Sequence, residues 1–199
     1  MPDPRRARLS PAERRAQLVA TGVNFLADHS LDELTMDVLA QRAGVSRPLL
    51  FHYFDTRQGM HLAVVTMARD SLLVASEPRP ELAPHERIRD TLLRITEFVQ
   101  QHPRTFHSLV RGIASGDPAV RRVVDESRDL NADRLLEAFT ELGRPDTPAL
   151  RVALRAWVSF TEETLISLVI DRDVAPETVV RYLEASLDGA IAATDALAL

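Results

Sequence analysis

Apolar residues recur every three or four positions along most of this chain, and nowhere do they alternate long enough to mark a strand. Leu18, Gly22, Phe25 and Leu26 form such a stripe in a segment ending near Asp28. Met60, Val64, Met67 and Leu72 repeat the spacing from Arg57 to Ser76. Ile88, Leu92, Ile95 and Val99 do so from His85 to Gln101, and Phe106, Leu109 and Val110 from Arg104 to Ala114. Val120, Val124, Leu130, Leu135 and Phe139 carry it from Pro118 to Leu142. Prolines and glycines punctuate these stretches, at Pro78, Pro80 and Pro84, at Pro103, at Ser115–Pro118 and at Gly143–Pro148, where a helix cannot continue. The pattern predicts an all-α chain of about nine helices without internal repeats.

The last two segments, 148–171 and 176–196, are apolar on more than one side. Leu150, Leu154, Trp157, Leu165 and Leu168 share the eighth with Val158, Ile166, Val169 and Ile170. In the ninth, Val180, Leu183, Leu187 and Ile191 make one stripe, and Ala185, Gly189 and Ala193 make a second of small residues. A helix apolar all round is buried all round. Either these helices are ordinary core, or they form an association surface; we expect the latter, with Val158, Ile166, Val180, Leu183, Leu187 and Ile191 at the contact.

The densest local signals lie in Leu34–Arg57, LTMDVLAQRAGVSRPLLFHYFDTR. Thr35 is a good N-cap, because its hydroxyl can accept from a free amide of the first turn. Gly44 follows a short helix, 35–43, at the place where a positive φ is common. Ser46 can cap the next helix, 46–54, with Pro48 in its first turn, where a missing N–H costs little. A helix, a glycine turn and a second short helix make a helix-turn-helix, which presents its second helix to a DNA major groove. Ser10-Pro11-Ala12-Glu13 is a capping box that opens a preceding helix. Arg5, Arg6 and Arg8 form a basic arm before it, suited to phosphates or a minor groove, or serving only as a soluble tail.

The stretch Leu34–Arg57 resembles the signature of the TetR-type (tetracycline-repressor-like) transcriptional regulators, and Leu18–Leu31 is similar to the family's first helix. The resemblance covers the first third of the chain; the remainder agrees in length and helicity. It implies a three-helix DNA-binding head over residues 1–56 and a helical ligand-binding and dimerisation body over 57–199. It implies DNA contacts by Thr35, Ser46, Arg47, Pro48, Leu49, Phe51, His52, Tyr53 and Arg57, with Leu50 and Phe54 inward. Arg47 suits the paired acceptors of guanine, or else a phosphate. Tyr53 and Arg57 suit phosphates. Where the family commonly has a small polar residue and Tyr, this chain has Leu49 and Phe51, which could touch thymine methyls instead. The family's last two helices pair with their copies in a four-helix bundle, so a homodimer through the eighth and ninth helices is expected. A double-stranded operator and a small-molecule effector are the expected partners.

Charge sharpens this. The net charge of −5 argues against a general polyanion binder. Every basic residue is Arg, and residues 1–60 carry 8 Arg against 7 acidic residues. DNA binding would rest on a few placed guanidiniums, with a modest salt dependence. The absence of cysteine removes disulfides, thiolate zinc sites and cysteine nucleophiles. The polar start and the lack of a long apolar run predict a cytoplasmic protein without a membrane partner. No metal-binding or phosphate-loop spacing is present, so neither a cofactor nor an enzymatic role is expected. For the effector, Phe98, Phe106, His107, Arg111, Trp157, Phe160, Thr161 and Thr164 are polar and aromatic residues on otherwise apolar helices; ordinary core aromatics and surface charges are the plainer reading. An all-helical adaptor without sequence-specific DNA binding is the alternative function.

Overall fold

A computed structural model describes residues 9–111 and 117–196 of the chain. Among these residues there are nine α-helices and no strand. They are α1 (Pro11–Phe25), α2 (Met36–Ala43), α3 (Arg47–Phe54), α4 (Arg57–Ala75), α5 (Pro84–Gln101), α6 (Pro103–Arg111), α7 (Pro118–Glu141), α8 (Pro148–Leu165) and α9 (Pro176–Thr194). A wide π turn, Ile166–Ile170, ends α8 early relative to the expected 148–171. The arginine arm Arg5, Arg6 and Arg8, and Ser115 and Gly116 of the predicted turn, lie outside the described residues.

The helix ends follow from local chemistry. At α1, Glu13 N–H donates to Ser10 Oγ (3.2 Å) and Ser10 N–H donates to the Glu13 carboxylate (2.8 Å), completing the capping box. Val38 N–H donates to Thr35 Oγ1 (3.1 Å) at α2. Gly44 ends α2 at φ 63°, in the left-handed region where glycine is least strained. Ser46 departs from expectation: its hydroxyl makes no cap bond. Its carbonyl accepts from Leu49 N–H (3.1 Å), and Pro48 presets the first turn of α3.

Two apolar cores divide the molecule. The first gathers Leu18, Val19 and Phe25 of α1 and Leu26 at its end with Leu34, Leu39, Leu50 and Phe54, and with Met60, Val64, Val65 and Ala68 of α4. Leu109 of α6 and Val120 and Val123 of α7 close it from the far side. The second joins α5, α7, α8 and α9 through Leu92, Val99, Leu136, Leu154, Trp157, Leu165 and Leu183. Leu72 of α4 packs against both. Fully burying one such aliphatic side chain contributes roughly 1.5–3 kcal/mol.

The corner between α3 and α4 is tight. Asp55 sits at φ 59°, and Thr56 N–H donates to the Phe54 carbonyl (2.6 Å). Thr56 Oγ1 then caps α4 by accepting from Gly59 N–H (3.0 Å). A Cβ on Gly59 would lie 2.3 Å from the Phe54 carbonyl oxygen, so only glycine lets α4 start so close to α3. One turn on, buried His61 donates from Nε2 to the Leu34 carbonyl (2.7 Å), fixing α4 to the entrance of α2. A carbonyl only accepts, so Nε2 carries the proton in the neutral ring.

Burial pushes the His61 pKa down, and the bond to Leu34 opposes this in part. The folded protein therefore holds His61 neutral while the unfolded chain takes up a proton below about pH 6.5. This contribution to stability is complete above that pH and shrinks as the pH falls through it. Urea unfolding between pH 7.5 and 5.5 should show a loss in the wild-type protein that His61→Gln lacks; parallel curves would mean that His61 does not titrate on unfolding.

Candidate nucleic-acid interface and interior cavity

α3 is held by two residues and presents the others. Leu50 and Phe54 are sealed in the first core, at 0% and 5% exposure. One helix period leaves Arg47, Pro48, Phe51 and His52 in solvent, with Leu49 and Tyr53 half-buried. Ser46 is exposed just before them. The Arg47 guanidinium lies 3.2 Å from the Asp37 carboxylate of α2 and 5.5 Å from the Phe51 ring centre. Both ion-pair partners are more than half exposed, and such a pair contributes about 0–1 kcal/mol at most. It keeps the guanidinium poised without trapping it. The His52 and Tyr53 rings meet edge to face at 5.3 Å. Thr35 uses its oxygen as a cap, which leaves its hydroxyl hydrogen free for an outside acceptor. Arg57 is turned back, with Nη2 donating to the Asp32 carbonyl in the Leu31–Glu33 turn. Ser30 opens that turn: its N–H and hydroxyl both donate to Glu33 (2.7 and 2.9 Å), bonds that hold the Glu33 carboxyl below the usual range.

A cavity of about 100 Å³ lies among α4, α5, α6, α7 and α8. Leu72, Ile88, Leu92, Ile95, Leu135 and Leu165 make its apolar wall. Phe106, Trp157 and Thr161 also face it, as the sequence suggested for an effector site. The other five residues proposed there do not. Phe98 is half-buried against the His102 ring (4.8 Å). His107 and Arg111 are exposed, and Arg111 pairs with Glu163 at the surface (2.8 Å). Phe160 is 39% exposed beside the Tyr182 ring, and Thr164 is buried away from the cavity. The reason is rotation: α8 turns its Trp157, Val158, Thr161, Glu162 and Leu165 side inward, and neighbours at other offsets point elsewhere. Sequence reasoning missed Arg87, Thr91, Asn131, Arg134 and Glu162. Their signal was polar residues placed in register with apolar ones, as Asn131 and Arg134 are with Leu135 and Ala138 on α7.

The expected subunit contact needs correction. Val158, Ile166, Val180, Leu183, Leu187 and Ile191 are between 0% and 7% exposed within one protomer, so they build its own core. Trp157 adds to that core, its Nε1 donating to Ser186 of α9 (2.9 Å). The outward face of α8 and α9 is a different set. It carries Val152, Ala156 and Phe160 on α8 and Tyr182, Ala185, Gly189 and Ala193 on α9. The small-residue stripe read from the sequence is on this open side.

Residues 18–64 match the family described as bacterial regulatory proteins, tetR family. Residues 84–187 match the tetracyclin repressor-like C-terminal domain. The HTH-type transcriptional activator FasR of Mycolicibacterium smegmatis is 23% identical over 88% of this chain and 83% of its own. The HTH-type transcriptional regulator EthR of the same organism is 28% identical over 90% and 86%. A crystal structure of a tetR-family transcriptional regulator from Streptomyces coelicolor superposes with a TM-score of 0.79, at 26% identity over 94% of this chain and 84% of that one.

If Arg47 reads a base, Arg47→Ala should weaken specific DNA binding by ~1–3 kcal/mol and relax preference at one position. Fluorescence anisotropy against a panel of single-base variants checks this. Unchanged preference would make Arg47 a backbone contact or none.

Proposed function

This chain belongs to the tetR family of bacterial transcriptional regulators, and we propose that it acts as a dimeric repressor released from a palindromic operator by a small molecule. The solvent-facing side of α3, anchored from behind by Leu50 and Phe54, carries this reading. Residues 1–56 read DNA in this proposal, and 57–199 sense the ligand and pair the subunits. Arg47, Pro48, Leu49, Phe51 and His52 enter the major groove, while Thr35, Ser46, Tyr53 and Arg57 approach phosphates. Arg57 uses the N–H groups left over from its bond to Asp32.

A two-fold pair must set its two recognition helices ~34 Å apart, or a multiple of that, to reach equivalent grooves. The open face of Val152, Phe160 and Tyr182, with Ala185, Gly189 and Ala193 between helices, supports pairing through α8 and α9. Small residues let a second helix come close, and the exposed aromatics supply apolar area. Ligand control follows from α4. Its Leu72 and the adjoining Ser76 line the cavity, and its Met60, Val64 and Val65 sit in the head's core. A ligand that prefers one position of α4 changes the spacing of the heads. A coupling of 1–3 kcal/mol would weaken operator binding by about 5- to 150-fold.

Gel retardation with DNA from upstream of the protein's own gene tests the reading: specific retardation at two protomers per site is expected. Retardation of no sequence at any salt concentration would favour the helical adaptor. Tyr182→Glu should halve the sedimenting mass while leaving the helical content intact, because Tyr182 is 51% exposed in the protomer. Leu187→Glu, at 3% exposure, should unfold the protomer instead. An unaltered mass for Tyr182→Glu would move the contact to another face.

A further inference from the structure

Most charges on the cavity wall are already paired. The Glu162 carboxylate accepts from Arg128 Nε (2.8 Å), with Arg128 Nη2 2.7 Å away. Arg87 lies 2.6 Å from Glu141. Arg134 is different. It faces the cavity half-buried, and among the described residues no carboxylate lies within 4.0 Å of it. Its one hydrogen bond among the described residues is a long one, 3.4 Å, to Asn131 Oδ1. Burial works against its charge more than any neighbour does. A guanidinium nonetheless stays protonated in proteins, and the neighbouring Glu77 and Glu137 carboxylates favour its charge without forming an ion pair with it among the described residues. Two hydroxyls on the same wall have no partner among the described residues either: Thr91 Oγ1 and Thr161 Oγ1 are sealed from solvent without a hydrogen bond. Each unmet buried hydroxyl costs about 1–3 kcal/mol. A helical threonine ordinarily bonds the carbonyl four residues back, as Thr96 does to Leu92 at 2.7 Å. Thr91 and Thr161 make no such bond, and both residues lie on the cavity wall.

Resting on the ligand-controlled reading above, we propose that the cavity takes a compact organic monoanion, a carboxylate on an apolar body, with the carboxylate on Arg134 and hydrogen bonds from Thr91 and Thr161. The size follows from the volume. An apolar cavity of roughly 150 Å³ holds benzene. A space of about 100 Å³ accepts a body no larger than that before its walls move. Leu72 and Ser76 are among those walls, so a slightly larger body would press on the end of α4. Glu162 does not turn the site toward cations, because both of its close contacts come from Arg128.

The sole tryptophan, Trp157, lies on the cavity wall and reports on occupancy by its own fluorescence. The full-length protein would be titrated with phenylacetate, phenylacetamide and phenethylamine, three probes of one shape and different charge. Phenylacetate should give a saturable change in emission and bind at least about tenfold tighter than the amide, the margin a charge-assisted pair supplies. Arg134→Gln should bring phenylacetate down to the amide's affinity without altering the amide's. Arg134→Lys, which keeps the charge, should restore part of the preference. Urea midpoints of both variants check that they fold. Equal or tighter binding of the amide or amine, no saturable change with any probe, or an acid preference that survives in Arg134→Gln would overturn the proposal. Labelled DNA in the same samples separates the two readings. Acid preference without DNA release would remove ligand control and leave the ligand class standing; release by the neutral probes would do the reverse.

Discussion

A single helix, α4, is shared by two hydrophobic cores, and the rest of the architecture depends on that sharing. Its first half buries Met60, Val64, Val65 and Ala68 among α1 to α3, and Leu72 reaches the second core. Both ends are tied. Thr56 caps the beginning, and His61 bonds the Leu34 carbonyl. At the far end, Arg94 of α5 donates to the carbonyls of Ala75 and Glu77 and also to Asp90. A cation at a helix C-terminus meets orphan carbonyls and the negative end of the dipole together. Packed interiors deform little, so under the proposed ligand control a displacement imposed at Leu72 would pass to the head as a rigid movement. Additional ties hold the head to the body: Arg104 of α6 donates to the Asp28 carbonyl beyond α1, and Leu109, Val120 and Val123 pack into the head's core. The head therefore rests on α6 and α7 as well as on α4.

Electrostatics explains how a chain of net charge −5 can present a DNA-binding face. The body's arginines largely answer acids of the body itself. Arg128 with Glu162, Arg155 with Asp129 and Arg151 with Asp146 are at 2.6–2.7 Å. In the head, Arg47 has one exposed acidic neighbour, and Arg57 is bound to a carbonyl rather than a carboxylate. Their charges remain available to phosphate or base. The same bookkeeping singles out Arg134, the arginine on the cavity wall whose acidic neighbours, Glu77 and Glu137, form no ion pair with it among the described residues.

The head was legible in the sequence because its instructions are local. Thr35, Gly44 and Pro48 each act within a few residues of their own position, through a cap, a left-handed turn and a preset φ. The inward Leu50 and Phe54 follow from one helix period. Ser46 makes no side-chain cap, and its carbonyl alone accepts in the first turn of α3, from Leu49 N–H.

The body's helices, their order and their breaks were likewise settled by the sequence, through the period of apolar residues and the placement of proline. Which side of each helix met which neighbour was not. α8 and α9 carry two apolar faces each, and periodicity gives their spacing without saying which one a partner within the same protomer covers. Only the tertiary packing assigned Leu183 and Leu187 to the core and left Tyr182 and Gly189 outside. Only packing joined Thr91, Arg134 and Thr161, from three helices, around one cavity. Secondary structure is written by neighbours a few residues apart, whereas a cavity or a contact surface is made by residues far apart in the chain, whose meeting depends on how every helix between them is turned.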